Sequence, residues 1–197
     1  MNSRRFLSVA FALAALSLQT PAALRAASTD TISLFVTPIV RYGVIISSVN
    51  ELGYDFGTVG LNTVTHSTAA IVVQNNGDVA SRWQMVATNS QNWSIGSSAA
   101  ADQFSLLAVF TSTASALQVP TSEFTDGQDE VLSYYQSSTG TVNSARYNGG
   151  VNMDLIPPAG QANSKRNLWL KLKMPQSSSV ATQQTFQLYI TAVQTGQ

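Results

Sequence analysis

The sequence predicts an all-β protein: an antiparallel two-sheet sandwich, immunoglobulin-like or jelly-roll-like. Apolar and polar residues alternate in several short segments, which is typical of strands with one buried face. Gly, Asn and Pro separate these segments at short intervals, as turns do in sandwiches. Beyond the N-terminal apolar stretch, helical spacing is limited to residues 114–117, which are enough for one turn.

The strongest alternation lies in residues 167–193, around which we expect the fold to be organised. One face of its first strand carries Leu168, Leu170, Leu172 and Met174, and the other carries Trp169, Lys171 and Lys173. Its second strand repeats the pattern with Phe186, Leu188, Ile190 and Ala192. Because each of these two strands has one apolar face, a second layer is required to cover them.

The remaining strands are predicted from the same pattern, at residues 31–37, 40–46, 52–59, 67–73, 79–88, 93–96, 104–110, 131–135 and 151–156. Asn76-Gly77 between two of them predicts a hairpin with a type I′ turn, in which both residues have positive φ. Leu107 and Val109 make residues 104–110 apolar on both faces, so this strand is expected to be central or covered by a loop.

The N-terminus has the features of a secretory signal peptide, residues 1–27. Arg4 and Arg5 precede an apolar run, residues 6–18, that is too short to span a bilayer. Cleavage after Ala22, Ala26 or Ala27 stays open. We therefore expect a secreted protein, periplasmic, cell-surface or extracellular, with no membrane span in the mature chain; a retained membrane anchor is the alternative. Residues 28–197 are expected to form a single domain with a long loop around residues 112–150.

Charge and composition exclude several classes of function. Charged residues make up 10% of the chain, and removal of the signal peptide leaves seven basic against ten acidic side chains. A mildly acidic protein without a basic run has no electrostatic means of binding nucleic acid. The chain has no Cys, which excludes disulfides, thiol chemistry and Cys-ligated metal. No motif predicts a cofactor.

Two stretches resemble the immunoglobulin-like sandwiches of bacterial exported surface and matrix proteins. The first is Val72-Val-Gln-Asn-Asn-Gly77 followed by Trp83-Gln-Met85. The second is the ending, Leu168-Trp-Leu-Lys-Leu-Lys-Met-Pro175 followed by Gln183-Gln-Thr-Phe-Gln-Leu-Tyr-Ile-Thr-Ala192. The resemblance covers about half of the mature chain and involves structural positions only. It implies a fold and an extracellular setting, and it transfers no active site.

The candidates for chemistry each have a plainer interpretation. His66 is the one histidine and has neither a nucleophile motif nor a second metal ligand nearby in sequence. Four carboxylates, Glu123, Asp126, Asp129 and Glu130, could supply oxygen ligands to Ca²⁺, but their spacing is not that of an EF-hand. The same residues could form the carboxylate pair of a glycosidase. A solvated acidic loop is the structural alternative.

Four aromatic residues are predicted to bind a partner or a glycan: Tyr134, Tyr135, Tyr147 and Trp169. The tyrosines lie among Ser, Gly and Asn, a combination suited to adaptable binding surfaces, although a loop without function is the alternative. Trp169 shares a face with lysines, so we expect it to point away from the core. It could then contact sugar rings or another subunit, unless Lys171 and Tyr189 cover it.

Together these observations predict a non-enzymatic exported structural or surface protein that acts by protein–protein contact. Its first strand, residues 31–37, could pair with the sheet edge of another copy. A carbohydrate-binding or adhesive module is the alternative. A hydrolase is the third hypothesis, and it requires a deep pocket lined by carboxylates.

Overall fold

The computed structural model describes residues 33–47, 53–113, 122–138 and 146–195. By its internal contacts the chain divides into two units, residues 1–38 and 39–197. In the first unit, the described residues are exposed and form no strand, whereas the second unit contains every strand described below. The predicted signal peptide and the single helical turn lie outside the described residues.

The described residues form ten strands and no helix. In chain order these are β1 (Val44–Ile46), β2 (Val64–His66), β3 (Ile71–Asn75), β4 (Ser81–Ala87), β5 (Ser94–Ile95), β6 (Gln103–Ser112), β7 (Glu130–Val131), β8 (Gln136–Ser137), β9 (Lys165–Lys173) and β10 (Leu188–Gln194).

The strands form two sheets, which confirms the all-β, sandwich-like fold class. The larger sheet has seven strands in the order β1-β3-β9-β6-β5, with β2 paired to β9 and β7 paired to β6. All its pairs are antiparallel except β5–β6, which is parallel. The smaller sheet is antiparallel throughout, in the order β10-β4-β8. β9 and β10, the two strands of the C-terminal alternation, therefore belong to different sheets.

The inward faces predicted from the alternation are confirmed. They are buried or partly buried in one cluster that contains Trp83, Met85, Ala87, Leu168, Leu170, Leu172, Met174, Phe186, Leu188, Ile190 and Ala192. Trp83 of the smaller sheet is fully buried and packs edge-on against Phe110 of the larger, with ring centroids 5.0 Å apart. Because each large apolar side chain contributes roughly 1.5–3 kcal/mol on burial, this cluster is the main stabilising feature of the fold.

β6 is buried on both faces, as its two apolar faces predict. One face joins the main core. On the other, Leu107 and Val109 pack with Trp169 and Phe124 in a second, smaller cluster. Phe124 lies on the loop before β7, so a loop covers this face of the larger sheet.

The predicted hairpin between β3 and β4 is wrong, because these strands belong to different sheets. Neither Asn76 nor Gly77 has the positive φ that a type I′ turn requires. The backbone N–H groups of Asn76 and Asp78 instead donate to the carbonyls of Gly43 and Arg41, at 2.9 and 3.0 Å, and extend the β1–β3 ladder. Gly77 is needed for space, since a Cβ there would lie 2.6 Å from the carbonyl oxygen of Arg41.

The buried side chain of Asn75 holds this crossing between the sheets in place. Its Nδ2 donates to the carbonyls of Val79 and Ile156, each at 2.9 Å. Its Oδ1 accepts from the N–H of Gly77 at 2.9 Å. These side-chain hydrogen bonds take the place of part of the main-chain pairing that a hairpin would have provided.

Three further predictions of strands need correction. Residues 33–37, the described part of the first predicted strand, form no strand, and residues 151–156 contribute only a bridge between Ile156 and Ser81. Residues 54–59 also form no strand, although Tyr54 and Phe56 share a face as predicted and pack partly buried against the core. In these segments an apolar local pattern is present, but regular pairing with a neighbouring strand is missing or is limited to one bridge.

Candidate functional site

The most exposed apolar stretch in the described chain is residues 33–40, here called the N-terminal apolar segment. Its residues Leu34, Phe35, Val36 and Ile39 are 81%, 93%, 88% and 87% exposed. It belongs to no strand, and every residue in it is exposed. Contiguous apolar surface of this kind marks an interaction site in soluble proteins.

The outer edge of β10 is an open sheet edge. The N–H of Thr88 donates to the carbonyl of Gln187 at 2.9 Å, in register with the ladder that pairs Leu188 with Ala87. Since the direction of backbone groups alternates along a strand, Leu188, Ile190 and Ala192 point their N–H and C=O groups away from β4. In the described part of the chain, no strand pairs with this edge. It is therefore a template for an added strand.

Core-facing side chains are incompletely covered where β10 lies close to β1. Leu188 and Ile190 face the core but are only partly buried. On β1, Ile46 lies directly opposite the buried Val73 and so shares its face, yet Ile46 is 40% exposed. Residues Ile46, Leu188 and Ile190 are here called the open corner of the sandwich. Their apolar groups face inward without full cover.

Tyrosines lie on the outer face of the smaller sheet. Tyr189 is directly opposite Val86, and Tyr135, one residue before β8, continues the register that places it on the other side of Val86. The two tyrosines are 46% and 54% exposed, and the neighbouring Tyr134 is 59% exposed. Gln84 shares this face and donates to the Ser137 hydroxyl at 2.9 Å. Tyr134 and Tyr135, which are predicted binding residues, are thus exposed.

Trp169 and Tyr147 cannot serve as exposed binding residues, and that part of the prediction is wrong. Trp169 does point away from the main core, but Phe124 covers it, and its Nε1 donates to the Thr111 hydroxyl at 3.0 Å. Tyr147 is fully buried, and its backbone N–H donates to Oδ1 of Asp129 at 2.6 Å. Burial raises the pKa of the Tyr147 phenol. Both side chains have structural roles.

The four carboxylates proposed for Ca²⁺ do not converge. In the described residues, no three acidic, His or Cys side chains are placed to hold a metal ion. Glu123 is exposed, and Glu130 accepts the N–H of Gly127 at 2.6 Å. Asp126 pairs with Lys173 at 2.6 Å, and the hydrogen bond from that lysine holds the pKa of Asp126 below its usual range. The acidic stretch therefore fastens the covering loop.

Among the carboxylates of the described residues, Asp129 has a strongly raised pKa. Its two oxygens accept the backbone N–H groups of Thr125 and Tyr147 at 2.8 and 2.6 Å. Burial nevertheless dominates and raises its pKa to about 6. A shallow depression of about 370 Å³ elsewhere on the surface is lined by Gln74, Asn163, Lys165 and four small or amide residues, without a carboxylate.

His66 is a packing residue. Its ring lies 5.6 Å from that of Phe124, at the rim of the second cluster. Desolvation and, to a lesser degree, the charge of Lys171 lower its pKa. An apolar neighbour, Phe124, and a cationic neighbour, Lys171, thus favour the neutral imidazole.

Sequence reasoning placed Tyr189 on the outer face of its strand but missed that the edge of β10 lacks a partner. Strand alternation predicted which side chains of β10 face the core. The edge position depends on the neighbours of β10, and no local pattern carries that information. Residues 188–194 carry no charged side chain, whereas natural edge strands are usually protected by charges, so the composition of β10 gave no sign of its edge position.

Comparison with protein-family models, curated proteins and solved structures finds nothing that matches this chain. Of the residues that the structure describes, none lies in a helix with the length and apolar character to cross a membrane. A function is therefore inferred from the exposed segment, the open edge of β10 and the tyrosines on the outer face of the smaller sheet.

Proposed function

We propose that this protein is an exported, non-enzymatic structural subunit that self-associates by strand addition, with the N-terminal apolar segment as the added strand. The export step rests on the signal-peptide features of residues 1–27. The assembly step rests on the coexistence of an exposed apolar segment and an open sheet edge in one chain.

The observation that carries the proposal is the exposure of residues 33–40. Three consecutive large apolar side chains, Leu34, Phe35 and Val36, each more than four-fifths exposed, are unfavourable in a monomer in water. An extended segment also carries main-chain donors and acceptors that a sheet edge can satisfy. Strand addition removes both costs in one step.

The test is the oligomeric state of the mature form, residues 28–197, measured by light scattering after size exclusion over a wide range of concentration. The wild type is expected to associate as concentration rises. The variant Leu34→Asp/Val36→Asp should remain monomeric, because a charge on the buried face of the added strand opposes pairing. The matched control Ser33→Asp/Thr37→Asp adds the same charge on the alternate face and should still associate.

A wild type that stays monomeric at high concentration would contradict the proposal, as would equal behaviour of the two double variants. Because all four positions are exposed, neither variant should lower the melting temperature of the sandwich. Circular dichroism of both variants checks this.

The second candidate function is glycan binding by the outer face of the smaller sheet. Tyr135 and Tyr189 lie in one row across the sheet, about two strand spacings or roughly 10 Å apart, as stacking platforms for a polysaccharide would. Pull-down on insoluble polysaccharides is expected to retain the wild type and to lose Tyr135→Ala and Tyr189→Ala. Thr191→Ala, on the same face, is the matched control. Equal retention of all four proteins contradicts this candidate.

A further inference from the structure

Resting on the proposed function, we infer that the acceptor site is the outer edge of β10, and that residues 33–37 of a second copy add to it antiparallel with Leu34 opposite Ile190 and Val36 opposite Leu188. The added strand completes the open corner. The smaller sheet then gains a fourth strand.

The face of the added strand follows from the geometry of β10. The residues whose backbone groups point outward are Leu188, Ile190 and Ala192, and their side chains face the core. In an antiparallel ladder, directly opposed residues place their side chains on the same face. The residues that bond to this edge therefore contribute core-facing side chains. Leu34 and Val36, two positions apart, meet this requirement and cover Ile190 and Leu188.

The register follows from Pro38, which has no N–H to donate. With Val36 opposite Leu188, Pro38 falls opposite Phe186, beyond the first residue of β10. A shift of two residues that brings Pro38 opposite Leu188 would leave the carbonyl of Leu188 without a donor. A shift of two residues in the opposite direction would place Val36 opposite Phe186, outside β10. Antiparallel pairing is the arrangement throughout the smaller sheet.

The outer face of the added strand also finds a partner. The same register places Phe35, 93% exposed, opposite Tyr189, 46% exposed, in a close non-hydrogen-bonded pair. Cross-strand aromatic pairs stabilise antiparallel sheets. Neither residues 33–40 nor residues 188–194 contain a charged side chain, so the contact desolvates no ion.

The length of β10 and the area available favour this edge over that of β1. β10 is seven residues long and accommodates a five-residue strand, whereas β1 has three residues. The large apolar side chains of the segment supply roughly 60–120 Å² each. Together with the main chain, they approach the roughly 600 Å² per partner of a small specific interface.

The exposure of the segment favours a second copy over pairing within one chain. In the described residues of one chain, residues 33–37 are exposed and pair with no strand. Their apolar side chains and backbone groups are therefore available to another molecule.

Disulfide trapping between separate copies tests the register. Because the chain has no native Cys, only the introduced thiols can form disulfides. Phe35→Cys mixed with Tyr189→Cys, and Ser33→Cys mixed with Thr191→Cys, are the matched pairs. The crossed mixtures, Phe35→Cys with Thr191→Cys and Ser33→Cys with Tyr189→Cys, are the controls. Their Cα atoms would lie roughly 8 Å apart, beyond disulfide range, so we expect two-chain crosslinks in the matched mixtures and their loss in the crossed ones.

Equal yields in matched and crossed mixtures overturn the inference, as does preferential crosslinking of Phe35→Cys to Ile45→Cys, which marks the edge of β1. A single chain that carries both Phe35→Cys and Tyr189→Cys and closes on itself in dilute solution also overturns it. In these cases the Leu34→Asp/Val36→Asp variant still reports on strand addition. Its loss of association leaves the proposed function standing while the acceptor site is wrong.

Discussion

Replacing Phe124 by Ala should uncover the second cluster and destabilise the sandwich by about 3 kcal/mol. Phe124 is 7% exposed and covers Trp169, Leu107 and Val109. The lost transfer free energy of its side chain is about 2–3 kcal/mol. Exposure of the Trp169 ring adds to this, whereas the loop can partly settle into the space, which keeps the total near the lower end of the range of about 3–5 kcal/mol for buried Phe→Ala.

Urea denaturation followed by far-UV circular dichroism measures this change, and in a domain of this size it corresponds to a fall in melting temperature of about 6–12 °C. Tyr134→Ala is the matched control: an aromatic residue from the same part of the chain, 59% exposed, whose removal should change the free energy of unfolding by less than about 0.5 kcal/mol. If Phe124→Ala costs no more than this control, the covering loop contributes nothing to stability and the reasoning fails.

Three further changes test the contacts that hold the fold. Asn75→Asp replaces two donated hydrogen bonds with repulsion between a carboxylate and two backbone carbonyls; thermal melts should show a loss of about 3–5 kcal/mol, and a loss below about 1 kcal/mol contradicts the assignment. Asp129, whose pKa is raised to about 6, stabilises the fold below its ordinary pKa of 3.8, and this contribution is lost as the pH rises through 6. In the wild type, the unfolding free energy should therefore fall by at most about 3 kcal/mol over that pH range. Asp129→Asn should remove this fall, and a variant with the same pH profile as the wild type contradicts the assignment. Asp126→Asn removes the ion pair with Lys173, in which the carboxylate is 63% exposed, and should cost less than about 1 kcal/mol, with the difference shrinking in high salt; a larger, salt-independent loss would show a different role.

The alternation of side chains was predictable because it depends only on neighbouring residues. β4 buries Trp83 and Met85 and β9 buries Leu168 and Leu170, as a period of two requires. The two apolar faces of β6 likewise predicted its central position and its cover by a loop. These features are encoded within about ten residues of sequence.

Contacts between distant residues could not be predicted in this way. The Asn-Gly dipeptide at residues 76–77 has the composition of a hairpin, yet it serves a crossing between sheets because β1 supplies the carbonyls that its N–H groups need. Trp169 points outward as its strand predicts, but Phe124, 45 positions earlier in the chain, covers it. Tyr147 is buried, and the carboxylate of Asp129, 18 positions earlier, binds its backbone N–H.

The candidate site likewise combines features that are local in the sequence with features that depend on distant residues. The apolar character of residues 33–37 was evident from the sequence, and it led to the hypothesis that they pair with another copy. Two facts depend on the arrangement of both sheets and could not be read from the sequence. Residues 33–37 form no strand in the single chain, and β10 lies at an edge.

The position of β10 also governs when the edge can exist. β10 follows every other strand described here, and its ladder partner β4 lies about a hundred residues earlier. A nascent chain therefore contains the apolar segment before the edge of β10 has formed. In the proposed assembly, only a subunit in which β10 has paired with β4 offers an acceptor edge, so subunits join after folding is complete.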